Sequence, residues 1–232
     1  MCYSNSLTSK TESFKDKYKL SAQVNFQLEP TFYVSAFTHP TWPVITDQGV
    51  EMMEWGLIPS WFRKDPKEIH NNTLNARVET VHEKASFKNV IDRNHCLIPT
   101  TGFFEWQTLG KTKVPYFITV KNQPLYSFAG IYDTWINTEG KAVKSFSMLT
   151  SQANELMAEI HNTKKRMPII LPAEQESAWV HNEMKAQDLQ LFPSAEMQAI
   201  EINRKIINSP QPNRREVQEE FHNKDFFQGS LF

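Results

Sequence analysis

The stretch Cys96-Leu97-Ile98-Pro99-Thr100-Thr101-Gly102-Phe103-Phe104-Glu105-Trp106 reads as two successive extended segments, 96–99 and 102–106. Further extended runs follow at 114–120, 125–135 and 142–150, each rich in β-branched and aromatic residues. Asn122-Gln123-Pro124 and Asn137-Thr138-Glu139-Gly140 supply turns, because Asn, Pro and Gly accept the dihedrals that reverse a chain. Strand after strand without an intervening helix predicts an antiparallel meander, not a βαβ series.

Working outward, residues 9–20 predict a short polar helix capped by Thr8 or Ser9. Residues 31–46 are extended, with Pro40 and Pro43 as interruptions. A strand at 50–57 leads into the loop Pro59-Ser60-Trp61-Phe62, and helices are expected near 78–84 and 87–93. On the C-terminal side, a helix over 152–160 places Leu156, Met157 and Ile160 on one face. Pro172 suits the first turn of another helix running through Trp179. From Ser209 the chain is polar, with Pro210, Pro212, Arg214 and Arg215. The expected organisation is one α+β domain over 1–208 and a loose tail over 209–232.

Composition narrows the function. Of 232 residues, 40% are hydrophobic and 12% aromatic, enough for a sizeable core and against global disorder. The 25 basic and 26 acidic residues leave a net charge of −1, which excludes a surface that is basic throughout but leaves room for a local patch. With seven glycines and no G-x-G-x-x-G or G-x-x-x-x-G-K-[ST], glycine-rich phosphate cradles are excluded. Cys2 and Cys96 make no disulfide scaffold and are expected reduced. The start lacks the basic and apolar regions of a secretory signal, and no apolar run is long enough to cross a bilayer. A cytoplasmic protein is expected, nucleoid-associated when bound to DNA. His82-Glu83 has no second His at the H-E-x-x-H position, and no other histidine spacing suggests a metal. No metal and no cofactor are expected.

Five places are able to carry chemistry. Removal of Met1 would turn Cys2 into a 1,2-aminothiol. Its amine, with an ordinary pKa near 7.7–8.0, is partly free at neutral pH and attacks aldehydes to give a Schiff base. The thiol then closes a thiazolidine ring at high effective molarity. An N-terminal-nucleophile peptidase is another use of the same groups, and an ordinary residue behind a start Met is the plain one. Glu105 sits between Phe104 and Trp106, as either an exposed strand residue or a carboxylate in a pocket. Asn75 and Arg77 in Asn75-Ala76-Arg77-Val78-Glu79-Thr80 offer an amide and a phosphate clamp, unless Arg77 and Glu79 are a surface pair. His161, ahead of Lys164, Lys165 and Arg166, is either a proton shuttle or a C-capping residue. The Trp55–Lys64 stretch interleaves aromatics with Arg63 and Lys64, a mixture suited to stacking on unpaired bases; the alternative puts Trp55 in the core and leaves only Trp61 or Phe62 partly exposed.

In this order the pieces resemble the SOS-response-associated peptidase family, whose members crosslink to abasic sites in single-stranded DNA. The matching segments are Met1-Cys2, Trp55 to Trp61, Asn75 to Thr80, Pro99 to Trp106, and Ile160-His161 followed by Arg166-Met167-Pro168. Residues 202–208 match more loosely. The resemblance implies a compact α+β domain of curved, mostly antiparallel, barrel-like sheets with flanking helices. It implies a monomer acting on abasic single-stranded DNA, with Cys2, Asn75, Glu105 and His161 catalytic. Arg77, Trp61, Pro40, Lys164, Lys165 and Arg166 would hold DNA. Release of the protein's own Met1 and a Schiff-base lyase activity are implied as well.

Two departures stand out. The family's Cys-Gly-Arg is replaced by Cys2-Tyr3-Ser4, and Asn162-Thr163-Lys164-Lys165 lengthen the loop after His161. Lys164, Lys165 and Arg166 are expected to replace the missing arginine in part in holding DNA. The competing functions are a non-covalent single-stranded or junction DNA-binding module and a cysteine peptidase acting on other proteins.

Overall fold

The computed structural model describes residues 2–21 and 23–222. Thirteen strands are assigned there: β1 Ser4–Leu7, β2 Thr31–Ser35, β3 Thr41–Thr46, β4 Gly49–Trp55, β5 Asn75–Arg77, β6 His95–Thr100, β7 Gly102–Leu109, β8 Thr112–Val120, β9 Tyr126–Ile136, β10 Ala142–Gln152, β11 Arg166–Pro168, β12 Ile170–Leu171 and β13 Met197–Glu201. The helices are α1 Thr11–Lys17, α2 Glu155–Ile160, α3 Ala173–Val180 and α4 Arg204–Ile207.

The expected strands are present, but they do not form a meander. One sheet runs β13-β8-β7-β1-β2 and is antiparallel throughout. The other runs β10-β4-β3-β6-β9 and closes on itself, because β9 also pairs β10. The result is a five-stranded barrel, antiparallel except at the parallel β4–β10 contact. The sheets part at the corner between β6 and β7. Buried Thr100 donates its hydroxyl to Asn5 Oδ1 at 2.5 Å, and Thr101 N donates to Ser6 O at 3.0 Å. These bonds turn the chain off the barrel and onto β1. Gly102 permits the turn: a Cβ there would lie 2.3 Å from the Phe117 ring.

Strand alternation then sorts side chains by face. Phe103 enters the main core, Phe104 enters a second cluster with Phe117, Ile202, Ile207 and Val217, and Glu105 returns to the Phe103 side. Each fully buried Phe is worth about 2 kcal/mol of transfer free energy.

Several local expectations need correction. Residues 78–94 form successive single turns instead of helices, with bonds such as Lys84 N to Thr80 O and Ile91 N to Phe87 O. Val81, Phe87, Val90 and Ile91 are all buried, so the backbone is bent to bring this irregular spacing inside. Pro43 lies within β3 opposite Met52 and does not interrupt it. Lys10, not Thr8 or Ser9, precedes α1, and Pro172 caps α3 instead of opening its first turn. Within 209–222, side chains meet β2. Val217 is fully buried, and Asn213 Oδ1 accepts from Phe32 N at 2.7 Å while Gln218 Nε2 donates to Phe32 O at 2.8 Å. These bonds cover part of the outer edge of β2, an edge left open to association if bare. Residues 223–232 lie outside the described set. No described helix is long and apolar enough to cross a membrane.

Candidate active site

Cys2 sits just ahead of β1 with 1% of its surface exposed. Its neighbours come from three elements. The parallel pairing of β5 with β10 sets Asn75 opposite Met148 and lets its Nδ2 donate to Cys2 O at 3.1 Å. Asn75 Oδ1 is buried without a hydrogen-bond partner among the described residues, an acceptor open to an incoming donor. Glu105, on β7, is 4% exposed, and its charge acts on the Cys2 thiol. Burial, and then the Glu105 charge, push that thiol well above its usual range, so it rests protonated.

His161 closes the group. Asn154 caps α2 by accepting from Met157 N at 2.9 Å, and His161 follows the last turn. Its Nδ1 lies 2.9 Å from Arg166 O and 3.8 Å from Glu105 Oε1. A carbonyl only accepts, so Nδ1 carries a proton.

Above these residues opens a cleft of about 920 Å³. Arg77, Lys84, Lys113, Lys164 and Arg166 line it, against one lining carboxylate, Glu105. In a chain of net charge −1, this is a local concentration of positive potential. Asn75 and His161 line it as well, so most of the expected site residues converge.

Three expected residues lie outside the lining, and a fourth, Arg166, lines it with its guanidinium already engaged. Arg166 is 4% exposed and forks onto Glu79 at 2.6 and 2.9 Å, with a further bond to Thr150 O at 2.7 Å. Burial raises the Glu79 carboxyl, but the Arg166 hydrogen bonds and charge outweigh this and hold it below the usual range. Arg166 therefore braces β11 against β10 and is not part of an exposed basic loop; Glu79 pairs with Arg166, not with Arg77 as the alternative reading had it. Lys165 is exposed but does not line the cleft. Trp61 is 44% exposed outside the lining, and its Nε1 donates to Ala85 O at 3.3 Å, propping a rim residue. Pro40 is also outside, its carbonyl accepting from Trp55 N.

Trp55 is core, and Arg63 folds back onto Ser60 O. At the departure from the family pattern, Tyr3 lines the cleft and packs on Phe37 at 4.7 Å, while Ser4 is buried with its hydroxyl on Tyr33. The lengthened loop is pinned by Asn162, whose side chain bonds both Thr108 N and Thr108 O.

Lys84, Lys113, Thr80 and Asn208 also line the cleft, although their local sequence does not single them out. Lys113 was legible in principle, because it pairs opposite Thr108 in the β7–β8 hairpin. The others depend on long-range packing. Among the described residues, no group of three or more His, Cys, Asp or Glu is placed to hold a metal ion.

The fold is thus an α+β scaffold that gathers a position-2 thiol, a carboxylate, an imidazole and an amide beneath a basic cleft. The chain belongs to the SOS response associated peptidase (SRAP) family, whose profile matches residues 1–209. It is 38% identical over 171 residues to the abasic site processing protein YoqW of Bacillus subtilis, covering 71% of this chain and 74% of that one. It is 34% identical over 164 residues to the abasic site processing protein HMCES of Rattus norvegicus, covering 58% and 46% respectively. A solved structure of a Bacteroides thetaiotaomicron protein superposes with a TM-score of 0.90 at 36% identity, over 95% of this chain and all of that one.

Proposed function

We propose that this protein captures abasic sites in single-stranded DNA by forming a covalent thiazolidine through Cys2 once Met1 is removed. The observation that carries the reading is buried Cys2, held by Asn75 at 3.1 Å, with Glu105 and His161 3.8 Å apart under the same cation-lined cleft.

The Cys2 amine adds to the C1′ aldehyde of the ring-opened deoxyribose. The carbinolamine loses water to give an imine, with His161 and Glu105 moving the protons. Glu105 takes the thiol proton as sulfur adds to the imine carbon, and the imine nitrogen gains a proton. Aldehyde plus aminothiol thus become thiazolidine plus water. Asn75 fixes the Cys2 backbone and offers Oδ1 to the forming ring. Arg77 and Lys164 attract the phosphates flanking the lesion. Loss of the 3′ phosphate from the imine stage is the lyase side reaction, and release of Met1 is the peptidase step that exposes the amine.

Incubation with abasic single-stranded DNA, followed by a denaturing gel, tests this. A shifted band is expected with the wild type and none with Cys2→Ala. Equal retention of intact and abasic strands by Cys2→Ala, with no covalent band from either protein, would favour a non-covalent module. Turnover of an added peptide would favour a peptidase acting on other proteins.

A further inference from the structure

We propose that the cleft continues into a second basin along β8 and α4, which holds the DNA strand flanking the lesion. The proposal rests on the single-stranded DNA reading above. A cavity of about 720 Å³ lies there, lined by Lys113, Val114, Pro115, Arg204, Lys205 and Phe221 among others.

Lys113 and Asn208 line both cavities. The ridge between them is the β7–β8 hairpin, where Thr108 pairs with Lys113 and Trp106 with Pro115. Trp106 and Thr108 face the cleft, and residues 112–115 face the basin. A strand leaving the cleft over this ridge passes Lys113 and meets Arg204 and Lys205, both exposed.

Glu201 is the carboxylate on this wall, and its charge, after burial, helps raise the Tyr116 hydroxyl. Three cations outnumber it. Phe221, 38% exposed, presents a ring beside them, and its backbone N is fixed to Glu201 O at 2.8 Å. Cations spaced along a groove with one solvent-facing aromatic suit a nucleic-acid backbone and a stacked base. An acidic peptide would satisfy the charges but leave the ring without a flat partner.

The test uses fluorescence anisotropy on the full chain, with single strands carrying a central tetrahydrofuran residue, an abasic mimic without an aldehyde. The strands are lengthened on the 5′ or the 3′ side and titrated across salt. Wild type should gain affinity from lengthening on one side only. R204Q/K205Q should lose that gain, and its salt slope should flatten by about 1.4, at ~0.7 for each phosphate no longer neutralised on a single strand. F221A should lose about tenfold on the longer strand with its slope kept. All three side chains are exposed, and thermal melts confirm that the variants fold. If both variants keep the full gain and slope while wild type still crosslinks abasic DNA, the basin is not a DNA track. If wild type neither binds these strands nor crosslinks an aldehyde-bearing one, the parent reading fails and this proposal with it.

Discussion

The floor of the cleft and its rim are built in opposite ways. Floor residues Cys2, Asn75, Glu105, His161 and Arg166 are all at most 8% exposed and belong to strands, precede one or follow a capped helix. Rim residues Lys84, Lys113 and Lys164 stand exposed on turns and on a hairpin strand. Under the proposed function, the difference separates two tasks. Proton transfer and ring closure need groups held within a fraction of an ångström, whereas phosphate attraction tolerates movement and is screened by salt. Substitutions on the floor should change rate or stability sharply, and those on the rim should change affinity gradually.

The largest effect expected is on rate. Glu105→Gln should slow adduct formation about 10²–10⁴-fold in single-turnover experiments, the usual contribution of a positioned proton carrier. A slowing of less than tenfold would remove Glu105 from the chemistry.

Next is Arg166→Met, which should lower stability by about 1–3 kcal/mol, read from urea midpoints. It strips Thr150 O of a donor and leaves Glu79, 41% exposed at its side chain, only partly resolvated. An unchanged midpoint, with weaker DNA binding, would return Arg166 to the rim.

Acid should then report on a buried histidine beside the barrel. Burial, and then neighbouring His39, push His70 down to about 4 from an ordinary 6.5. Between those values the unfolded chain binds a proton that the folded chain excludes. Its contribution is therefore intact above about 6.5 and is lost as the pH falls through about 4, by at most about 3 kcal/mol. His70→Gln should flatten that arm of the stability–pH curve, and an equal slope in both proteins would contradict the assignment.

Smallest is Lys164→Gln with Lys165→Gln, for which the salt slope of single-strand binding should flatten by ~0.7 for each phosphate no longer neutralised. A flattening equivalent to one phosphate would match Lys164 lining the cleft while Lys165 stands outside it. No flattening at all would show that the lengthened loop does not touch DNA.

Much of the floor was legible because its residues lie in locally distinctive segments. Glu105 follows Phe103 and Phe104 in strand alternation, and Asn75 and Arg77 share a three-residue strand. What escaped was decided at a distance. The split into barrel and sheet follows from bonds joining Thr100 and Thr101 to Asn5 and Ser6, partners about 95 residues away. Arg166 looked like one more cation after two lysines; only the approach of Glu79, 87 residues earlier, makes it a brace. The turns at 78–94 show tertiary burial overriding local helix preference. The near-cancelling total charge likewise hid a cleft lined by five cations, of which Arg166 is paired with Glu79, and one carboxylate, Glu105.

Tandem mass spectrometry of the peptide linked to abasic single-stranded DNA tests the central claim most directly. The predicted product begins at Cys2 without Met1. It carries the sugar aldehyde joined to the Cys2 nitrogen and sulfur with loss of one water, and it survives without a reducing agent. A link through Lys84, Lys113 or Lys164, or an adduct that retains Met1, would contradict the account.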